Sequence, residues 1–155
     1  MLFGRKPKLS SIVKRLESCV REARLSAMKL RVAYRFATER RPGVDKVVIQ
    51  TALTGFPISQ GMMANMYVSS AESSARKAWR NLIKAEEGLR KAYPELHSSG
   101  LGDLLAQAAE ALKRASDLRG VSGRELESIA DEVEGAASVV SAVAEELRGR
   151  AVESG

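Results

Sequence analysis

Residues 9–37 read LSSIVKRLESCVREARLSAMKLRVAYRFA, and within them Leu9, Val13, Leu16, Val20, Ala23, Ala27, Leu30, Tyr34 and Ala37 recur at alternating steps of four and three. That spacing keeps the apolar side chains on one helical face, and a seam this long predicts a helix that packs lengthwise on another. At 1.5 Å per residue, a helix over 9–39 is about 45 Å long. Arg41-Pro42-Gly43 interrupts it, because proline disfavours helix at the residue before it and lacks an N–H of its own. Asp45 is placed to cap a short restart through Val47, Val48 and Leu53. Val47-Val48-Ile49 also reads as a strand, but no second strand is predicted to pair with it.

Outward from this segment the same pattern repeats. Gly55-Phe-Pro-Ile-Ser-Gln-Gly61 reads as a turn, followed by a second long seam of Ala64, Val68, Ala71, Ala75, Ala78, Leu82, Ala85, Leu89 and Ala92. The alanines let a partner backbone approach closely, and two long seams joined by a turn make a helical hairpin. Pro94 ends the second helix, and a loop containing His97 leads to a third seam of Leu101, Leu105, Ala108, Leu112 and Ala115, which Leu104 and Leu118 widen. Gly120 is placed to close that helix. Ser122-Gly-Arg-Glu125 is a capping box, flanked by Val121 and Leu126 at staple positions. It opens a fourth helix with the seam Leu126, Ile129, Val133, Ala136, Val140, Val143 and Leu147.

The predicted class is therefore all-α, a long hairpin of helices 1 and 2 with helices 3 and 4 packing on it or extending from it. The 155 residues are the length of one domain, and an aromatic share of 5% disfavours a sheet-rich fold. Within that domain, 1–8 form an N-terminal tip, 9–93 a basic hairpin and 101–155 an acidic pair of helices.

Cys19 has no second cysteine to bond and His97 no second His or Cys to share a metal, so a disulfide, structural zinc and Cys/His catalysis are not expected. Cys19 falls at helical spacing among apolar residues and reads as a small core residue; His97 reads as a solvated loop residue. No phosphate loop, GxSxG or HExxH motif occurs, and neither an enzyme nor a cofactor is predicted. The longest apolar runs fall well short of the roughly 20 residues of a membrane span. Met1–Lys8 lacks the apolar region of a signal peptide. The expected location is the cytoplasm.

Charge divides unevenly. Residues 1–41 hold twelve Lys/Arg against three Glu, a net of +9; residues 42–100 net +2, and residues 101–155 net −5. The overall +6 hides a dipole, whose front should attract polyanions while its tail competes for the front. With Val13 at a and Leu16 at d, Lys14, Arg21 and Arg35 fall at b and Arg24 and Arg31 at e, so five cations line one flank of helix 1. Leu25, Met28, Val32 and Phe36 form a second apolar stripe off the seam, to be covered by helix 3 or 4 or by another subunit in self-assembly. At the N-terminus, Leu2 and Phe3 precede Arg5, Lys6 and Lys8, an apolar tip with cations that suits an anionic bilayer interface.

Met63-Ala-Asn-Met-Tyr67, Ser74-Ala-Arg-Lys77 and Leu82–Leu89 around Glu86 resemble the second helix of ESCRT-III proteins, above all the archaeal cell-division members called the CdvB group. Leu101-Gly-Asp-Leu-Leu105 with Ala108-Ala-Glu-Ala-Leu112 looks like the start of that group's third helix. The resemblance spans residues 9–149 and rests on helical pattern and scattered residues. It implies hairpin subunits that polymerise, alone or with paralogues, on the inner face of the cell membrane. There the basic surface meets anionic lipid, and the acidic tail folds back on the hairpin at rest.

Two features depart from the family. The chain carries no proline-rich or complete leucine-bearing motif for the family's AAA ATPase, so that partner would be engaged indirectly. Pro42-Gly43 also breaks a first helix that is usually continuous. The other readings of the same residues are a nucleic-acid-binding protein using the Lys14–Arg35 flank on phosphates, and a plain four-helix adapter. Against nucleic acid, there is no helix-turn-helix signature and few aromatics stand near the basic stripe.

Overall fold

The structure is a computed structural model that describes residues 7–38, 49–50, 57–58 and 60–153. Four helices carry the fold: α1 (Leu9–Thr38), α2 (Gln60–Ala92), α3 (Gly102–Ala115) and α4 (Leu126–Glu153). The chain is thus the expected helical hairpin with two further helices packed on it. α1 lies on α2 and on α4, while α3 lies on α2 and α4, so the helices sit at the corners of a square in chain order. Cross-helix contacts pair residues whose numbers rise on one helix as they fall on the next: Ser18 with Asn81 and Ser26 with Ala71, and likewise Glu17 with Arg148 and Arg31 with Glu134. Neighbours are therefore antiparallel, the up-down-up-down arrangement of a bundle.

Most predicted seam positions form the core, although Tyr34, Val68, Ala92 and Leu101 are half-buried and Ala37 is exposed. Leu16, Leu30, Leu82, Leu89, Leu105, Leu112, Val133, Val140 and Leu147 are fully buried. Ile12, Cys19, Ser26 and Ala33 are buried as well, a further row at seven-residue spacing, because α1 touches two neighbours and needs a wider face than one partner demands. Along α2 the fully buried alanines Ala71, Ala75, Ala78 and Ala85 let α1 come close enough for the Ser26 hydroxyl to donate to the Ala71 carbonyl at 2.8 Å. Lys29 Nζ donates to the buried Ser74 hydroxyl at 3.0 Å nearby.

Several connections differ from expectation. Ile49–Gln50 and Pro57–Ile58 pair as a two-residue antiparallel ladder, so Ile49 does find a partner in the chain that returns toward α2, while Val47 and Val48 lie outside the described residues. Pro42-Gly43 and the Asp45 cap lie outside the described residues. After α2, Pro94–Leu96 and a wide turn over His97–Leu101 make a helical corner instead of a loop. His97 is half-buried there, its Nε2 2.8 Å from Glu86 Oε1. Its ring occupies the space over Gly102, where any Cβ would lie 2.5 Å from two ring atoms.

α3 ends at Ala115, five residues before Gly120. The glycine serves instead the turn closed by Val121 N–H on the Leu118 carbonyl at 3.1 Å, with φ +78°, a region open to glycine at little cost. α2 holds this end in place: Glu72 accepts from Leu118 N–H at 2.8 Å, and Arg76 donates to the Ser116 carbonyl at 3.1 Å, a cation where the helix dipole is negative. The capping box does not close through its side chains. Gly123–Glu125 form a tight 3-10 turn in which Glu125 N–H already bonds the Ser122 carbonyl at 3.0 Å, taking the donor that the Ser122 hydroxyl would have capped. Leu118 is buried as part of the turn, whereas Leu104 is exposed, because it points away from both neighbours of α3.

Candidate functional site

The square arrangement turns the sequence dipole into a transverse one. α1 and α2 occupy one side of the bundle and bring the basic segment with them, and α3 and α4 occupy the other and bring the acidic one. The two halves meet along the α1–α4 seam, and there the heptad rows of both helices set the chemistry.

On α1, positions e place Glu17, Arg24 and Arg31 in a row toward α4. On α4, Glu134, Ser141 and Arg148 recur at the same seven-residue spacing. The antiparallel register sets these rows rung to rung. At one end Arg31 bonds Glu134, with Asp131 adding a second contact at 3.0 Å. The two carboxylates, Glu134 first, hold the guanidinium pKa above its usual value. At the other end Arg148 donates to Glu17 at 2.7 Å while Glu145 grips it from its own helix, and both acids raise its pKa. In the middle Arg24 and Ser141 line a groove of about 400 Å³ together with Glu17, Val20, Arg21, Ala144 and Arg148.

The expected binding flank is therefore split by the fold. Arg31 is engaged by the acidic helix. Among the described residues, Lys14, Arg21, Arg24 and Arg35 have no carboxylate within ion-pair reach, and Arg21 only meets the Ser18 hydroxyl at 3.4 Å. Lys14, Arg21 and Arg35 share their row with Met28, which is 52% exposed, so an apolar side chain stands between cations. Leu25 and Val32 are half-buried beside it. α3 is diagonal to α1, and α4, which borders this row at Arg21, leaves Met28 exposed. Phe36 is taken within the chain, its ring stacked on Tyr67 with centroids 5.8 Å apart. Lys8 is exposed just before α1; Leu2, Phe3, Arg5 and Lys6 lie outside the described residues.

Sequence reasoning missed the Arg24–Ser141 rung because the register between α1 and α4 comes from packing; the equal spacing of the two rows was its only sequence signal. It also missed His97 with Glu86, and the exposed Met62 and Met66 at the start of α2, each 55% exposed.

Cys19 is fully enclosed, and burial pushes its thiol up to about 12, so it stays neutral and unreactive. Among the described residues, no group of three or more His, Cys, Asp or Glu could hold a metal ion. Nor is any helix there long and apolar enough to cross a membrane. No known protein family, curated protein or solved structure matches the chain.

Proposed function

We propose that the protein is a non-enzymatic subunit that binds anionic membrane surfaces and assembles there into polymers that remodel or cut the membrane, in cell division or vesicle budding. The observation that carries this is the flank of α1, where Lys14, Arg21, Arg24 and Arg35 have no ion-pair partner among the described residues and Met28 is exposed between them. Unpaired cations beside an apolar side chain favour a lipid interface, since each cation near an anionic surface contributes about 1 kcal/mol and the apolar group enters the acyl boundary. One copy binds modestly; an array multiplies the effect through effective concentration. The resemblance to ESCRT-III proteins agrees with this reading and adds self-assembly, co-assembly with paralogues and a peripheral location on the inner face of the cell membrane.

The test is electron microscopy of the purified protein with and without anionic vesicles. Ordered polymers or deformed vesicles that need anionic lipid are the expected result. Bare, undeformed vesicles at saturating protein would refute the proposal, and preferential coating of duplex DNA over vesicles would replace it with the nucleic-acid reading.

A further inference from the structure

The α1–α4 seam is an electrostatic ladder with one rung incomplete. Its outer rungs pair opposite charges, Arg31 with Glu134 and Glu17 with Arg148. The middle rung sets Arg24 against Ser141, an uncharged donor, and Arg21 and Arg148 line the same groove. Three guanidiniums thus share one space of about 400 Å³ with Glu17 as the carboxylate among its lining residues, while Arg24 has no ion-pair or hydrogen-bond partner among the described residues. The floor, Val20 and Ala144, is buried and apolar, which lowers the local dielectric and strengthens charge–charge attraction. Arg148 is held at the mouth of the groove by Glu145 on its own helix, and Glu17 competes with any anion for it.

We propose that this groove is a binding site for a phosphoryl group, with Arg24 and Arg21 as the free donors, Ser141 as a neutral donor, and Arg148 turning from Glu17 toward the anion. Guanidinium forks match tetrahedral oxyanions in bidentate geometry. The proposal rests on the anionic-surface reading and deepens it in one respect: the acidic fourth helix supplies part of the site instead of only competing with it. A lipid headgroup and a free phosphate both carry such a group, and the groove chemistry is the same for both.

The test compares variants of equal charge change inside and outside the groove of the full-length protein: Arg24→Gln, Arg148→Gln and Glu17→Gln against Arg15→Gln and Glu22→Gln. Arg15 and Glu22 share the opposite shoulder of α1. All five positions are solvent-exposed or half-exposed, and circular dichroism checks that each variant folds. Binding is measured to pyrophosphate by calorimetry, and by flotation to vesicles carrying phosphatidic acid or, at matched surface charge, phosphatidylglycerol. The expected result is about tenfold weaker binding for Arg24→Gln and for Arg148→Gln, the size of one lost charged hydrogen bond. Glu17→Gln should bind more tightly, and both control variants should stay within about twofold of the parent. A groove-dependent response to pyrophosphate assigns a free phosphate; one confined to phosphatidic acid assigns a headgroup. Equal effects of groove and control variants, or no binding in either arm, would overturn the site. Vesicle binding that persists with equal effects removes the groove yet leaves the membrane reading standing.

Discussion

Replacing Leu147 by alanine should destabilise the bundle far more than replacing Arg31, although Arg31 makes the most visible contact between the basic and acidic helices. Leu147 is fully buried on the α4 seam; removing its side chain forfeits transfer energy and leaves a cavity, about 2–5 kcal/mol for such a site. For a chain of this length each kcal/mol lowers Tm by about 2–4 °C, so the expected drop is about 5–15 °C. Arg31 and its partners Asp131 and Glu134 have side chains 41%, 69% and 47% exposed. Pairs that open to water contribute about 0–1 kcal/mol each, and Arg31→Ala should cost about 2–4 °C. Thermal melts followed by circular dichroism give both numbers. The same melts in 1 M salt, where screening acts over about 3 Å, should show no larger loss than Arg31→Ala. If Arg31→Ala matched or exceeded Leu147→Ala, or high salt unfolded the protein, then charge and not apolar packing would hold α4 on α1.

Other outcomes follow from single sites. Gly102→Ala should lose about 1–3 kcal/mol, because its Cβ would strike the His97 ring, and His97→Ala in the same chain should recover most of it in urea titrations. Ala78→Leu should cost about 1–3 kcal/mol by forcing α2 away from its neighbours at a fully buried position. Cys19 should resist maleimide in the native state and react once the chain unfolds. Its thiol is held neutral when folded, so the unfolded chain ionises first as pH rises above the ordinary thiol value of about 9; stability present below that pH is lost on going from about 9 towards 12. Melts of Cys19→Ala across the same range should lack that component.

The seams were legible because burial along the bundle follows heptad spacing: every α4 position expected in the core, from Leu126 to Leu147, is buried. The g row of α1 was legible only at Cys19, because Ser26 does not read as core until α2 comes close enough for the Ala71 carbonyl to accept its hydroxyl. Gly120 carried the right conformational meaning at the wrong place, since glycine's tolerance of positive φ serves a turn as well as a helix end. The capping box failed for a local reason, a 3-10 turn that uses up the donor. For the candidate site, cation and acid rows could be read from spacing, but which acid meets which cation depends on register. That register shows that α4 neutralises only Arg31 of the five flank cations, so lipid need not displace the acidic helix to reach the other four. It also means that deleting residues 121–155 would strip the apolar cover from α1 and α3 together with the acids, and would not report on charge alone.

The most direct measurement of the central claim is flotation of the full-length protein with vesicles of neutral or anionic lipid, comparing the parent with a Lys14→Gln, Arg21→Gln, Arg35→Gln triple variant. The parent should float with anionic vesicles only, lose that binding as salt is raised, and be weakened about a hundredfold by the triple variant, from about 1 kcal/mol per cation, with helicity unchanged. Equal flotation with both lipids, or a triple variant that binds as the parent does, would contradict the account.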